Sequence, residues 1–255
     1  MSGFSFLTRV RRVLGRIGAS LLQRLHIPVQ FSTLRHVSNP RFALRWRDRW
    51  LCLGDATSVT GFDRHYVYHT AWACRVLAES RPEEHVDISS SLYFVATASA
   101  FLPIRFYDYR PAQLGLSGLF CDHADLTNLH FANDSIASLS CMHVVEHIGL
   151  ARYGDPLDYD GDLRAVAELR RVLAVGGQLL FVVPIGGEAR IQFNAHRIYT
   201  YRQVLGMFLD CNLVEFALIP DDGAAEGLVR NAPPEMADKQ RYGCGCFQFV
   251  KRATQ

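Results

Sequence analysis

The chain has 255 residues, of which 49% are hydrophobic and 20% charged, so it is long enough for one large α/β domain and is not of a disordered, collagen-like or disulfide-rich type. Charged residues interrupt every long apolar run, which excludes a predicted membrane-spanning helix and leads us to expect a cytoplasmic protein. The net charge is only +2, but the first 50 residues carry ten arginines against a single acid, Asp48, and therefore favour anionic surfaces.

Residues 4 to 25 carry apolar side chains at steps of three and four, with arginines largely on the other side, and this pattern predicts a basic amphipathic helix. The segment lacks the cleavage site of a secretory signal. Two interpretations stay open. The helix packs against its own domain or another subunit of a homo-oligomer, or it lies on the inner face of an anionic membrane as a peripheral contact. Its apolar positions are Phe6, Leu7, Val10, Val13, Leu14, Ile17, Leu21 and Leu25.

Residues 27 to 62 mix aromatic side chains with arginines and are predicted to be irregular. Trp46 and Trp50 stand between basic groups and could stack on bases, but no nucleic-acid module surrounds them, so no nucleic-acid partner is expected. A lid or short hairpin over the main domain is favoured instead. We therefore divide the chain into a basic N-terminal extension and lid, residues 1–62, and a main domain, residues 63–255.

From residue 63 onward, strand-like and helix-like runs alternate. Asp63 is a plausible N-cap of a helix that continues to about Ser80. The alternation predicts a Rossmann-like, doubly wound, mostly parallel sheet of seven strands, with the ligand site at the carboxyl ends of the first four. An irregular link, Pro220 to Gly245, allows an antiparallel final strand. The predicted strands are His85–Ser89, Ile104–Asp108, Leu119–Cys121, Ser135–Cys141, Gly177–Pro184, Leu213–Ile219 and Cys246–Lys251, and the later helices are Asp162–Ala174 and Thr200–Cys211.

Two strand ends carry acids at the spacing of a nucleoside site. The first strand ends in H-V-D-I-S-S-S, where Asp87 precedes a turn of small residues, Ser89, Ser90 and Ser91, that lets the backbone approach a cofactor. Serine replaces glycine there and tolerates positive φ less well. Asp108 ends the second strand about 20 residues past that turn and is placed to accept hydrogen bonds from ribose hydroxyls, with Tyr109 beside it.

Two further patterns resemble metal sites but are interpreted otherwise. D-P-L-D-Y-D-G-D, residues 155–162, alternates oxygen ligands but lacks the glycine position and terminal glutamate of a calcium loop, so we predict a turn with Asp162 capping the next helix. The seven cysteines include no C-x-x-C pair, and Cys244 and Cys246 in C-G-C are interpreted as alternating residues of the last strand. No metal site is predicted.

Residues 123–149, H-A-D-L-T-N-L-H-F-A-N-D-S-I-A-S-L-S-C-M-H-V-V-E-H-I-G, resemble class I S-adenosylmethionine-dependent methyltransferases. Over residues 63 to 215 the chain is more similar to a methyltransferase-like family of unknown function whose bacterial members occur among surface-polysaccharide genes. The matching stretches are H-Y-V-Y-H-T-A-W-A, H-V-D-I-S-S, V-V-E-H-I-G-L-A-R-Y-G-D-P-L-D-Y-D-G-D and F-N-A-H-R-I-Y.

The resemblance implies S-adenosyl-L-methionine as cofactor and assigns positions around it. Asp87 and the serine turn would contact its amino-acid end, Asp108 the ribose, and Ala124 with Asp125 the adenine. The helix of such proteins that follows the fourth strand opens with a histidine and a Glu-His pair. His143 would accordingly lie beside the sulfonium and the substrate.

A general base helps when the methyl acceptor is a hydroxyl group. The candidates are His143, Glu146, His147 and His196, although Glu146 and His147 could instead only cap and pack a helix. Arginines beyond the fourth and fifth strands are candidate anchors for a phosphate or carboxylate of the acceptor. The candidate substrate-binding residues are Arg152, Arg190, Asn194 and Arg197.

Three functions follow from these observations. The first is a methyltransferase acting on an oxygen of a sugar or cell-surface glycan intermediate, where the glycan rests on the family context alone. The alternative is a catalytically silent methyltransferase-like scaffold in polysaccharide assembly. A nicotinamide-dependent oxidoreductase is disfavoured because the G-x-G-x-x-G turn is absent.

Overall fold

A computed structural model describes residues 25–53, 55–221 and 226–253, and the chain divides into two units whose boundary in the sequence falls between Phe62 and Asp63. In the N-terminal unit, residues 25–35 are helical, and a short 3-10 turn covers Trp46–Asp48. Residues 27–35 are thus helical where the sequence predicts irregular structure. The amphipathic helix predicted over residues 4–25 lies, apart from its last residue, outside the described residues. None of the described helices is long and apolar enough to cross a membrane.

The second unit is built on a seven-stranded sheet, as predicted. The strand order is β3-β2-β1-β4-β5-β7-β6, in which β1 to β5 pair in parallel and β7 is antiparallel to both of its neighbours. The last strand is thus antiparallel, which the irregular sequence of the link before it allowed. The strands are β1 (His85–Ile88), β2 (Ile104–Asp108), β3 (Leu119–His123), β4 (Ile136–Met142), β5 (Leu173–Ile185), β6 (Cys211–Ile219) and β7 (Gly243–Lys251).

Helices cover both faces of this sheet. They are α1 (Arg64–Ser80), α2 (Leu92–Ala98), α3 (Gly161–Val172), α4 (Tyr201–Met207) and α5 (Pro234–Asp238). The predicted cap of α1 is confirmed, since the Asp63 carboxylate accepts a hydrogen bond from the Tyr66 backbone N–H at 3.1 Å. Thr200 and Gln203 form a reciprocal capping box at the start of α4, which supplies hydrogen bonds that the first helical turn cannot make internally.

Each face of the sheet has its own apolar core, because alternate residues of a strand point to opposite sides. On one face Trp72 of α1 and Phe94 of α2 pack in the same core as Val182 of β5. On the other face Leu169 of α3 packs with Phe181 of β5. Each such buried side chain contributes about 1.5–3 kcal/mol relative to an exposed one, and together they hold the carboxyl ends of the central strands in register.

Three local predictions are corrected. Asp160, not Asp162, precedes α3, and Asp162 lies in its first turn, where the carboxylate accepts a hydrogen bond from the Tyr199 hydroxyl at 2.9 Å. After β4 the chain forms a 3-10 turn, Val145–His147, in place of the expected helix. The link before β7 contains α5, and a two-stranded hairpin of Arg190–Gln192 and His196–Ile198 precedes α4.

Candidate functional site

A cavity of about 490 Å³ opens at the carboxyl ends of β1, β2, β3 and β4, within the size range of small-molecule sites. This is the edge of the sheet at which the sequence predicts a ligand. The predicted cofactor residues that line it are Ser89, Asp108, Tyr109, Ala124, Asp125 and His143. Predicted residues from four separate segments of sequence therefore converge on one cavity.

The serine turn after β1 leaves the cavity open. Ser89 adopts a left-handed backbone with φ of 59°, the conformation for which glycine is usually used, and it lines the cavity. The hydroxyl of Ser90 points elsewhere, since its Oγ accepts a hydrogen bond from the Met142 backbone N–H at 3.0 Å. Ser91 precedes the first residue of α2. Neither Ser90 nor Ser91 lines the cavity, which corrects their predicted contact with the cofactor.

Asp87 is fully buried and does not line the cavity, so its predicted direct contact with the cofactor is also corrected. Its carboxylate accepts hydrogen bonds from the Ser90 backbone N–H, at 3.0 Å, and from the Ser140 hydroxyl. Burial raises the pKa of Asp87 to about 6, against the opposing effect of these hydrogen bonds. Asp87 thus joins the turn after β1 to strand β4 from behind the cavity.

Ser140 belongs to a buried polar chain that the sequence analysis missed. His85 Nε2 lies 2.8 Å from Ser140 Oγ, and His85 Nδ1 lies 2.7 Å from Ser138 Oγ. Because the Ser140 proton is directed to Asp87, the Ser140 oxygen accepts from His85 Nε2–H, and His85 Nδ1 accepts from Ser138. Burial lowers the pKa of His85 to about 3, which keeps the ring neutral. The hydrogen bonds of Ser138, His85 and Ser140 are thus all donated in the direction of Asp87.

Asp108 and Asp125 each keep one carboxylate oxygen available beside the cavity. Asp108 Oδ1 accepts a hydrogen bond from the Arg110 backbone N–H at 2.7 Å, and Asp125 Oδ1 accepts from the backbone N–H and the hydroxyl of Thr127. No hydrogen bond to either Oδ2 is present among the described residues. These local bonds fix both carboxylates in place, so two acceptors face the cavity from neighbouring strands.

His143 follows β4 in a left-handed backbone conformation, with φ of 57°. Its Nδ1 lies 2.8 Å from Glu146 Oε1, and its Nε2 lies 3.3 Å from Cys244 Sγ. When Glu146 is ionised its carboxylate can only accept, so Nδ1 then carries the proton and Nε2 holds the lone pair. Glu146 is completely buried behind the cavity wall, and burial raises its pKa to about 7. Both ring nitrogens of His143 are therefore engaged by the protein.

His147 also lines the cavity, and its ring is oriented differently. Its Nδ1 lies 2.6 Å from the carbonyl oxygen of Ala195 and must donate to it, which leaves the lone pair on Nε2. Burial lowers the pKa of His147, so the ring is neutral at neutral pH. Arg152 lies across the ring and donates to the same carbonyl at 2.9 Å. His196 does not line the cavity, and its Nε2 lies 2.8 Å from Gln192 Oε1.

None of the four predicted substrate-binding residues lines the cavity. Arg197 is buried and donates to the carbonyl oxygens of Ile148, Asp158 and Tyr159, with Asp162 3.5 Å away, so its role is corrected from anion anchor to structural tie. Arg190 donates to the carbonyl oxygens of Glu188 and Arg241. Arg152 is directed at Ala195, and Asn194 is exposed in the hairpin turn.

The half of the cavity beyond His143 is lined by residues 147–149, Tyr153, residues 155–158 and Arg164, of which residues 155–158 were predicted to lie in a structural turn. Asp155 holds this loop closed, since its two oxygens accept from the backbone N–H groups of Gly149 and Tyr153. Asp158 pairs with Arg164 of α3. The alternating acids of D-P-L-D-Y-D-G-D were the sequence signal for this wall, because Asp155 and Asp158 both line the cavity.

A cluster of aromatic and histidine side chains packs around the His143 ring. His65 and Tyr66 stack on it with ring centroids 5.4 Å away in each case, and His69 meets it edge-on at 5.0 Å. Tyr242 in turn stacks on His65 at 4.9 Å. The H-Y-V-Y-H sequence at the start of α1 places two histidines one helical turn apart, and that spacing was the available signal for this cluster.

Solved structures with the same fold include methyltransferases. N-methyltransferase NodS from Bradyrhizobium japonicum, in complex with S-adenosyl-L-homocysteine, is 12% identical with a TM-score of 0.52 over 88% of this chain and 97% of that one. A chain of the complex between the Haloferax volcanii Trm112 methyltransferase activator and a methyltransferase is 16% identical, with a TM-score of 0.52 over 76% and 92%. The Burkholderia thailandensis 1,6-didemethyltoxoflavin-N1-methyltransferase, with S-adenosylhomocysteine bound, is 11% identical with a TM-score of 0.50 over 72% and 79%.

At these identities the likeness establishes the fold, which is that of class I S-adenosylmethionine-dependent methyltransferases. Residues 122–216 match the model of a family described as Caenorhabditis protein of unknown function, DUF268. No curated protein sequence matches the chain.

Proposed function

We propose that the protein is an S-adenosylmethionine-dependent methyltransferase acting on a hydroxyl group of a neutral, sugar-like acceptor. One observation carries the proposal: the cavity at the carboxyl ends of β1 to β4 is lined at once by Ser89, Asp108, Asp125 and His143. In a doubly wound fold this is where a nucleotide-like cofactor binds.

The donor set fits the nucleoside part of the cofactor. The Oδ2 atom of Asp108 would accept from the ribose hydroxyls, and the Oδ2 atom of Asp125 from the adenine amino group. Carboxylates make stronger hydrogen bonds than neutral acceptors, so both contacts would hold the nucleoside in a fixed orientation. When bound, the cofactor supplies an electrophilic methyl group, and orientation of the acceptor can provide on the order of 7 kcal/mol or more of the barrier reduction.

The residue best placed to take the acceptor proton is His147. Its tautomer is fixed by the hydrogen bond from Nδ1 to Ala195, so Nε2 carries the lone pair at the cavity wall, with Arg152 Nη1 3.4 Å away. His143 is less suited, because its Nδ1 is held by Glu146 and its Nε2 points to the buried thiol of Cys244. We therefore assign the general base to His147 and a positioning role to His143 and Glu146.

The acceptor half of the cavity favours a neutral compound that carries hydroxyl groups. Asp155 and Asp158 contribute carboxylates, whereas Arg164 is already neutralised by Asp158. Tyr153 adds an aromatic face, over which Arg110 lies 4.8 Å from the ring centroid. Arg110 and Arg164 balance these two acids, so this half of the cavity carries no net charge to attract an anion, and a sugar ring can hydrogen-bond to its acids and contact Tyr153.

Isothermal titration with S-adenosylhomocysteine tests the cofactor assignment. We expect micromolar binding by the full chain and a loss of about 10- to 100-fold in Asp108→Ala, because a charge-assisted hydrogen bond contributes about 1.5–3 kcal/mol. Asp122→Ala is the matched control, since Asp122 is an exposed acid of β3 that does not line the cavity. No binding by the folded protein, or equal losses in both variants, would refute the proposal.

Transfer of a labelled methyl group then tests the acceptor class. We expect turnover with neutral sugar derivatives rather than with amines, and His147→Ala to lower kcat by about 10²- to 10⁴-fold while the affinity for S-adenosylhomocysteine stays within about twofold. Turnover confined to amine acceptors would contradict the hydroxyl assignment and leave the cofactor assignment intact.

A further inference from the structure

Three possible metal ligands come together beside the cavity, and the proposed methyl transfer leaves two of them, His65 and Cys244, without a role. His65 of α1, His143 after β4 and Cys244 of β7 place one nitrogen or sulfur atom each within 4.8 Å of one another. His143 Nε2 lies 3.3 Å from Cys244 Sγ. Ligand atoms about 2.0–2.3 Å from a tetrahedral zinc ion lie about 3.3–3.8 Å from one another, so small side-chain shifts suffice to complete this set.

The outer atoms of both imidazole rings are already fixed as they are in metal sites. His143 donates from Nδ1 to Glu146, which directs its lone pair toward Cys244. His65 hydrogen-bonds to the backbone of Tyr242 and stacks on the Tyr242 ring. Metal-binding histidines almost always donate their second nitrogen to a carboxylate or a backbone carbonyl in this way.

Two buried polar atoms around the same ring lack a hydrogen-bond partner among the described residues. They are His69 Nε2 and Glu146 Oε2. Both side chains are fully buried, where an unpaired polar group costs on the order of 1–3 kcal/mol. The His69 ring lies 5.0 Å from that of His143, so a positive ion in the cluster would stand among polar groups that the protein alone leaves unsatisfied.

Cys244, His143 and Glu146 also have the order of a nucleophile, its base and an orienting acid, but burial argues against that use. Cys244 has no exposed surface and does not line the cavity, so no substrate atom can approach its sulfur. Burial raises the pKa of its thiol well above the ordinary value. A buried thiol of this kind is inert toward substrates, whereas a bound metal ion displaces the thiol proton.

We propose that His65, His143 and Cys244 form a binding site for Zn²⁺ next to the cavity. Two imidazole nitrogens and one thiolate are a donor set that suits this ion, and three protein ligands leave one coordination position for a small molecule. His143 lines the cavity, so the ion would lie at its edge. The site does not depend on the proposed methyl transfer.

Cobalt substitution in the full, metal-stripped chain tests this site. We expect stoichiometric Co²⁺ to produce a thiolate-to-cobalt charge-transfer band that added Zn²⁺ removes. Cys244→Ser should lose the band, and Cys246→Ser should keep it, because Cys246 is an equally buried thiol two residues along the same strand. His65→Ala, at a half-buried position in the first turn of α1, should weaken Zn²⁺ binding by at least about 100-fold.

Circular dichroism and Tm establish that each variant is folded, and His65→Ala decides the question if Cys244→Ser does not fold. The proposal is overturned if the folded protein gives no band and binds no Zn²⁺, if the band survives in folded Cys244→Ser, or if His65→Ala binds as tightly as the parent. Rapid alkylation of Cys244 by iodoacetamide in the metal-free folded protein, with no protection by Zn²⁺, would instead indicate a nucleophile. S-adenosylhomocysteine binding is measured separately, so either hypothesis can fail alone.

Discussion

Ser89 and His143 both have positive φ, of 59° and 57°, at the carboxyl ends of β1 and β4, two adjacent strands. For residues other than glycine this conformation costs about 1–2 kcal/mol, and such strain concentrates at functional sites. The sequence exposed the first of these positions, because serine stands where related folds use glycine. It gave no local sign of the second, since the backbone of His143 is set by partners far along the chain.

Replacement of Ser89 by glycine should therefore stabilise the protein. The new residue relieves the left-handed strain, and the weak contact between Ser89 Oγ and the Tyr107 carbonyl oxygen, at 3.4 Å, is a small loss. We expect the free energy of unfolding in urea to rise by up to about 1 kcal/mol. Ser90→Gly is the control and should lower it, because Ser90 Oγ accepts a hydrogen bond from Met142. A rise in both variants, or a fall in Ser89→Gly, would show that strain is not the governing effect.

Asp87 should make stability depend on pH in an identifiable direction. Its pKa is raised by burial from 3.8 to about 6, so between these values the folded protein holds a proton that the unfolded chain has lost. The contribution to stability is therefore present below about pH 4 and is lost as the pH rises through about 6. The pKa of the neighbouring His85 is lowered to about 3, which acts in the opposite sense over an overlapping range.

Comparison with Asp87→Asn isolates this carboxyl, because His85 and Asp108 are present in both proteins. The free energy of unfolding of the parent minus that of the variant should fall by on the order of 2 kcal/mol between about pH 4 and about pH 7. Urea unfolding across this range provides the measurement. A difference that stays constant would mean that Asp87 is ionised throughout.

At the scale of elements, the hairpin of Arg190–Gln192 and His196–Ile198 supports the loop that forms the far wall of the cavity. Arg197 reaches from the hairpin to the carbonyl oxygens of Ile148, Asp158 and Tyr159. The seven main strands could be recognised from their apolar runs. Each strand of this hairpin has only three residues and no such run. The acceptors of Arg197 are buried backbone oxygens, and no pattern of side chains in the sequence reveals them. Arg197 was therefore predicted to bind an anion of the acceptor.

Arg197→Ala should destabilise the protein by about 3–5 kcal/mol, since it removes a buried guanidinium that pairs with Asp162 and donates to three carbonyl oxygens. Arg190→Ala, on the other strand of the same hairpin, removes a more exposed guanidinium and should cost no more than about 1 kcal/mol. Thermal and urea unfolding check both values. Equal small losses would show that the loop holds its position without Arg197.

At the scale of the whole molecule, the sheet order could be anticipated because alternating strands and helices permit few arrangements. The proposed zinc site could not be anticipated, since His143 and Cys244 are 101 residues apart and His65 belongs to a helix on one face of the sheet. Only the antiparallel insertion of β7 between β5 and β6 brings Cys244 to His143. Short-range spacing, on which metal motifs are recognised, carries no information about such a set.

The same convergence predicts how a ligand should act on the unit formed by residues from Asp63 onward. A cofactor that contacts Ser89, Asp108 and Asp125 would join the ends of three strands, and it binds the folded state alone. S-adenosylhomocysteine at about 100 times its Kd should then add about 2.7 kcal/mol of stability, which for a unit of this size corresponds to a rise in Tm of about 5–10 °C. Hydrogen exchange should slow at the carboxyl ends of β1 to β4. If Tm rises equally in Asp108→Ala at the same ligand concentration, the stabilisation comes from another site and the cavity is not where the nucleoside binds.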